Sequence, residues 1–135
     1  MKTSGAVRFA GLFLGLAVTV GAGSASGQAP ETRGVSARLL QTVDLGPEIE
    51  GMAGRQLRMR IVTLEPGGFF GTHSHKDRPG TVYIVSGTIT ETRNGVAREY
   101  GPGDTWLENK ETSHRLDNKG TTPATFIAVD ILKTP

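Results

Sequence analysis

Cysteine is absent from the chain. That excludes disulfides, thiolate metal ligands, a cysteine nucleophile and a lipid anchor attached through a cysteine. Histidine is scarce, with three in 135 residues, and tryptophan occurs once. No Ser-His-Asp pattern, phosphate-binding glycine loop or paired-carboxylate arrangement can be drawn from the sequence. Convincing helical periodicity is missing as well. No apolar run reaches the roughly twenty residues that a membrane helix needs. The run from Phe9 to Val20 stops well short of it.

A charge of one sign is also lacking, although 15 Lys and Arg outnumber 13 Asp and Glu. Two of the basic residues, Lys2 and Arg8, precede or open that apolar run, and small residues follow it in GAGSASGQAP. Positive start, short apolar stretch and small-residue end are the layout of a secretory signal, and no twin-arginine pair accompanies it. Residues 1–27 are expected to be such a signal, which implies a secreted or periplasmic protein with no stable membrane association after cleavage. Without Lys2 and Arg8 the charges balance, so nothing supports binding to nucleic acid or to an anionic membrane surface.

Residues 28–36 are expected to form a loose leader and residues 37–135 a single domain. Over that domain short β-type runs alternate with turn residues. Ala37 to Leu45 is the first. Leu57 to Leu64 is expected to turn Leu57, Met59 and Ile61 inward and Arg58 and Arg60 outward. Pro66 to Gly68 reads as a turn before a further strand, Phe69 to His75. Thr81 to Gly87 is apolar on both faces, which predicts cover from the barrel interior on one side and from a second sheet or a second subunit on the other. Asn94-Gly95 between TITETR and VAREY is a hairpin signal. TWLE, SHRLDN and ATFIAVDIL complete about nine strands, the count of a small antiparallel barrel or jelly roll. The fold class expected is all-β.

His73 and His75 stand one residue apart, so on a strand they face the same way, with Cα atoms about 6.5–7 Å apart. Both could reach one ion, and His114 in SHRLDN could add a third nitrogen. The spacing around them resembles the first cupin motif, in which Gly67, His73, His75 and Gly87 fall in register. Gly103-Asp104, His114 and Asn118 resemble the second cupin motif. The resemblance, running from about Leu57 to Ile131, implies a cupin-type β-barrel, a homodimer, and one divalent transition metal (Fe, Mn, Zn or Ni) on His73, His75 and His114. It also exposes a departure, because Gly80 stands where the motif carries a glutamate ligand.

Three neutral ligands leave open positions on the ion, and three-histidine centres occur among cupin dioxygenases. The reading is therefore an exported mononuclear metal-binding cupin, an oxidoreductase of dioxygenase type acting on a small organic substrate. A non-catalytic binding cupin and a metal-dependent lyase or isomerase are its alternatives. Asp77 is a candidate fourth ligand if the strand runs on past His75, Glu108 is a weaker one, and water is the default. By alternation Phe69, Val82, Ile84 and Leu116 face the pocket. Trp106 lines the pocket or packs the core, Arg78 stands at its mouth, and Arg58, Arg60 and Arg115 point away. Asn118 is expected to hold a turn.

Overall fold

The structure is a computed structural model that describes residues 31–134. The expected secretory signal over residues 1–27 lies outside those residues. Among the described residues there is no helix, and none long and apolar enough to cross a membrane. Eight strands follow one another: β1 (Thr32–Asp44), β2 (Arg55–Ser74), β3 (Gly80–Ser86), β4 (Ile89–Arg93), β5 (Val96–Tyr100), β6 (Thr105–Glu108), β7 (Ser113–Asp117) and β8 (Ala124–Lys133). They form an antiparallel barrel in the order β5-β4-β7-β2-β8-β3-β6, with β1 also paired to β2. The leader expected over residues 28–36 is strand from Thr32 onward, because β1 finds a long partner in β2, from Thr32 opposite Phe70 to Asp44 opposite Gln56.

Two strands expected on either side of Pro66 to Gly68 are one strand of 20 residues. The first half of β2 pairs with β8 and the second half with β7, so the glycines mark a change of partner and not a reversal. Gly67 supplies the bend through a positive φ of 73°. Asn118 clamps this corner. Its side-chain amide donates to the carbonyls of Leu64 (2.9 Å) and Thr122 (2.8 Å), and its backbone N–H donates to that of Gly68 (2.9 Å). The predicted hairpin joins β4 to β5, with Arg93 opposite Val96 and both Asn94 (φ 52°) and Gly95 (φ 76°) in the left-handed conformation that a two-residue hairpin turn requires.

Cross-strand register stacks the interior in rows. Leu64 faces Ala124; Val62, Phe126 and Ile84 form the next row; Arg60, Ala128, Val82 and Trp106 the next; Arg58, Asp130, Gly80 and Glu108 the last. Inward facing on β2 is thus opposite to expectation. Val62 and Leu64 are buried with Arg58 and Arg60 on their side, while Leu57, Met59 and Ile61 turn to the outer face. The reason lies on β8, where Asp130 supplies the carboxylate that lets guanidiniums sit inside, as buried charge requires. On β3, Val82 and Ile84 are buried, but Tyr83 and Val85 remain exposed. Among the described residues the strand is covered on one face only, and no second sheet packs on its outer apolar residues.

Candidate metal centre

The last row opens onto the histidines. His73 lies near the end of β2, His75 just beyond it, and His114 on β7 is directly opposite His73. One ring nitrogen from each lies within 4.8 Å of the other two. His75 and His114 are almost wholly buried and His73 is half-buried. His73 and Phe70 face the same way although they are three positions apart, because a bulge interrupts the β2–β7 ladder between them. That bulge corrects one expectation. Phe69, expected in the pocket, lies outside under the Arg115 guanidinium, 4.2 Å above its ring, and Phe70 stands beside His73 in its place.

Each histidine has an acceptor at Nδ1. The Gly71 carbonyl lies 2.9 Å from that of His73, the Arg78 carbonyl 3.3 Å from that of His75, and Glu91 Oε1 2.6 Å from that of His114. Acceptor-only partners assign the proton of each neutral ring to Nδ1 and leave the lone pair on Nε2. His75 Nε2 and His114 Nε2 then face one another at 3.1 Å with no proton between them. A proton is poorly tolerated there. Burial, then the charge of Arg78, then the neighbouring histidines push the His75 pKa down to about 3. Burial likewise holds His73 below its ordinary value, against the pull of the Gly71 carbonyl. Two converging lone pairs in a dry site fit a bound metal ion, for which neutral imidazole is the usual donor.

The partners of these rings are themselves tied down. Glu91 accepts from Arg93 Nε at 3.0 Å and from the Tyr100 hydroxyl at 3.3 Å. Burial works to raise its pKa, but the hydrogen bonds from His114 and Arg93 outweigh this and hold it low. Such a carboxylate–histidine pair fixes the ring's orientation and strengthens it as a donor. Glu108, buried on β6, puts Oε2 3.1 Å from His75 Nδ1 and Oε1 3.7 Å from His114 Nε2. Trp106 Nε1 donates to its Oε1 at 3.1 Å. Burial raises the Glu108 pKa against that hydrogen bond.

A cavity of about 330 Å³ adjoins His73 and Glu108, walled by Phe70, Leu116 and Phe126 and by the guanidiniums of Arg60 and Arg78. Asp130, 2% exposed, takes a two-point contact from Arg58 (2.9 and 2.7 Å) and single contacts from Arg60 (3.3 Å) and Arg78 (3.2 Å). One carboxylate thus faces three guanidiniums, and the cavity wall keeps a surplus of positive charge. Arg60 Nε is buried and finds no hydrogen-bond partner among the described residues. Its neighbours Asp130 and Arg58 act in opposite directions on Arg60, and burial leads in lowering its pKa.

Of the residues expected at the pocket, Leu116 and Arg78 line it. Val82, Ile84 and Trp106 are buried in the core, with Trp106 packed against Tyr100 and Phe126. Asp77, expected to approach the metal, is exposed in a turn with φ 62° and its carbonyl accepts from Arg55 at 3.2 Å. The strand ends at Ser74, so the alternation that would have aimed Asp77 inward has already stopped. Arg60, expected to point outward, lines the cavity. Missed altogether were Glu91 and Asp130, whose roles depend on pairings across the sheet that no local pattern contains.

Comparison with known proteins agrees with this architecture. An oxalate-binding protein of Thermotoga maritima is 30% identical over 83 residues, which is 62% of this chain and 69% of that protein. The polyketide cyclase RemF of Streptomyces resistomycificus superposes with a TM-score of 0.63 at 18% identity, over 80% of this chain and 72% of its own. A cupin 2 conserved barrel domain protein of Salinispora arenicola gives 0.56 at 19% identity, over 71% of this chain and 74% of its own. The cupin domain family, Cupin_2, matches residues 60–130, more than half of the sequence. The chain belongs to the cupin family.

Proposed function

We propose that this protein is an exported mononuclear metal protein in which His73, His75 and His114 hold one divalent transition ion, and that its cavity takes a small anionic organic molecule able to chelate that ion. The observation that carries the reading is the pair of guanidiniums, Arg60 and Arg78, on the wall beside His73. Planar guanidinium groups suit carboxylates, and a dry pocket strengthens the contact. Phe70, Leu116 and Phe126 limit the space, at the small end of the usual range for ligand sites. The name of the Thermotoga relative, an oxalate-binding protein, supports a ligand of this class.

A bound iron or manganese ion would supply a Lewis acid and one-electron chemistry with O₂. The reaction we propose is accordingly a dioxygenase-type oxidation of the bound anion. A second reading, binding without turnover, is favoured by the same relative's name. Calorimetry on the Fe(II)- or Mn(II)-loaded protein with oxalate, set beside acetate, distinguishes a chelating from a merely charged ligand, and O₂ uptake separates turnover from binding. Arg60→Gln is expected to weaken oxalate binding by roughly 10–100-fold, the worth of one charge-assisted hydrogen bond. Equal binding of acetate and oxalate, or no effect of Arg60→Gln, would contradict the proposal.

The outer face of the β2-β8-β3-β6 sheet presents Met59, Ile127, Val129, Tyr83 and Leu107 side by side. We propose that a second copy of the chain covers it as a homodimer. A monomer mass in light scattering at micromolar concentration would contradict this.

A further inference from the structure

The carboxylate that the motif lacks at position 80 has a physical reason to be absent there. Gly80 is directly opposite Glu108 in the β3–β6 ladder. A Cβ added at Gly80 would lie 2.8 Å from the Val129 carbonyl oxygen and 3.0 Å from Glu108 Oε2. Close strand approach therefore requires glycine at 80, and the Glu108 carboxylate fills the space a side chain there would take. From that place it reaches two of the three histidines, with Oε1 3.7 Å from His114 Nε2 and Oε2 3.1 Å from the protonated Nδ1 of His75. Atoms bound to one ion at about 2.0–2.2 Å lie about 3–4 Å apart, so Oε1 is spaced from His114 Nε2 as a co-ligand would be. His75 does not need Glu108 to fix its tautomer, because the Arg78 carbonyl already accepts at Nδ1. Trp106 Nε1 donates to the same Oε1 at 3.1 Å and holds the carboxylate in place.

We propose that Glu108 is the fourth protein ligand of the metal, a carboxylate moved from the motif strand to the strand opposite it. The centre is then three histidines and one glutamate, with Glu108 supplying the anionic ligand from β6 and Gly80 making room for it. The proposal rests on the three-histidine reading above, and its test keeps the two apart.

Cobalt(II) titration of wild type, Glu108→Gln and Glu108→Ala, followed by visible absorption and by competition with a chelator, is the experiment. Thermal melting of the metal-free variants checks that each is folded. Trp106 and His75 contact the two different oxygens of Glu108, and a glutamine amide offers only one, so a merely positioning Glu108 predicts a loss within ~10–100-fold and an unchanged cobalt spectrum. As a ligand, Glu108 predicts that both variants lose affinity by more than the ~10–100-fold that removal of an outer hydrogen-bond partner brings. It also predicts that the cobalt spectrum of Glu108→Gln differs from wild type. A Gln variant that keeps the wild-type spectrum and loses no more than ~10–100-fold in affinity overturns the proposal and leaves the histidine site standing. Failure of the wild type to bind cobalt overturns both. Should the Gln variant not fold, Glu108→Asp takes its place: a shortened ligand must alter the spectrum, and an unaltered one overturns the proposal.

Discussion

At the Leu64 end of the barrel the interior rows are Leu64 with Ala124, then Val62 with Phe126 and Ile84, whereas at the other end the same strands bring together Arg58, Asp130, Gly80 and Glu108. The first end gains stability in the ordinary way, by removing apolar surface from water, at about 1.5–3 kcal/mol for each large aliphatic side chain. The second end gives up that gain and holds desolvated charge, which is tolerable only while every charge has its partner. Nothing in the backbone distinguishes them, since both use the same ladders and the same alternation. Chemistry changes along the strand axis, a few residues apart, and stability and function are thereby separated within one barrel.

The sharpest way to break the comparison is at the charged end. Asp130→Asn removes the carboxylate shared by three guanidiniums and is expected to lower the unfolding free energy by about 3–5 kcal/mol, read from urea denaturation. Acid should reproduce part of this in the wild type. Burial pushes the Asp130 pKa up, but the Arg58 hydrogen bond and the charges of Arg60, Arg58 and Arg78 outweigh it and hold the folded value below the ordinary 3.8. The stability it contributes is full above that ordinary value and is lost as pH falls through the lower folded one. The stability difference between wild type and Asp130→Asn should therefore shrink in that window. A difference that is flat with pH would contradict the assignment.

Leu64→Ala strikes the apolar end, with an expected cost of about 2–5 kcal/mol and an unchanged metal affinity. A large loss of metal affinity in this variant would mean that the two ends are not separable. Smaller again is Glu91→Gln, which keeps the shape and loses the charge behind His114. It should weaken metal binding by ~10–100-fold in chelator competition while moving the melting temperature little. Wild-type affinity in Glu91→Gln would show that the orientation of His114 comes from elsewhere.

What could be read in the sequence was whatever depends on near neighbours. His73 and His75 share a face because a strand alternates, and Asn94-Gly95 forms its hairpin because those residues accept positive φ. Phe69 was misplaced because one bulge reverses alternation between it and His73, and a bulge leaves no compositional mark. The facing of β2 was inverted because Leu57, Met59 and Ile61 look like core. In the fold they cover the outside of a sheet, and Arg58 and Arg60 are acceptable within only because Asp130 arrives from β8. The place of Glu108 opposite Gly80 was not legible for the same reason, since it is a matter of register between β3 and β6. The site's donors were legible, and the partners that hold them were not.

Crystals of the protein loaded with Mn(II) and measured for anomalous scattering give the most direct test of the charged end as a metal centre. The account predicts a single strong peak among His73, His75 and His114, in contact with a ring nitrogen of each and with the Glu108 carboxylate. A peak held by other residues, such as Asp77, or no peak within reach of the three histidines, would contradict it.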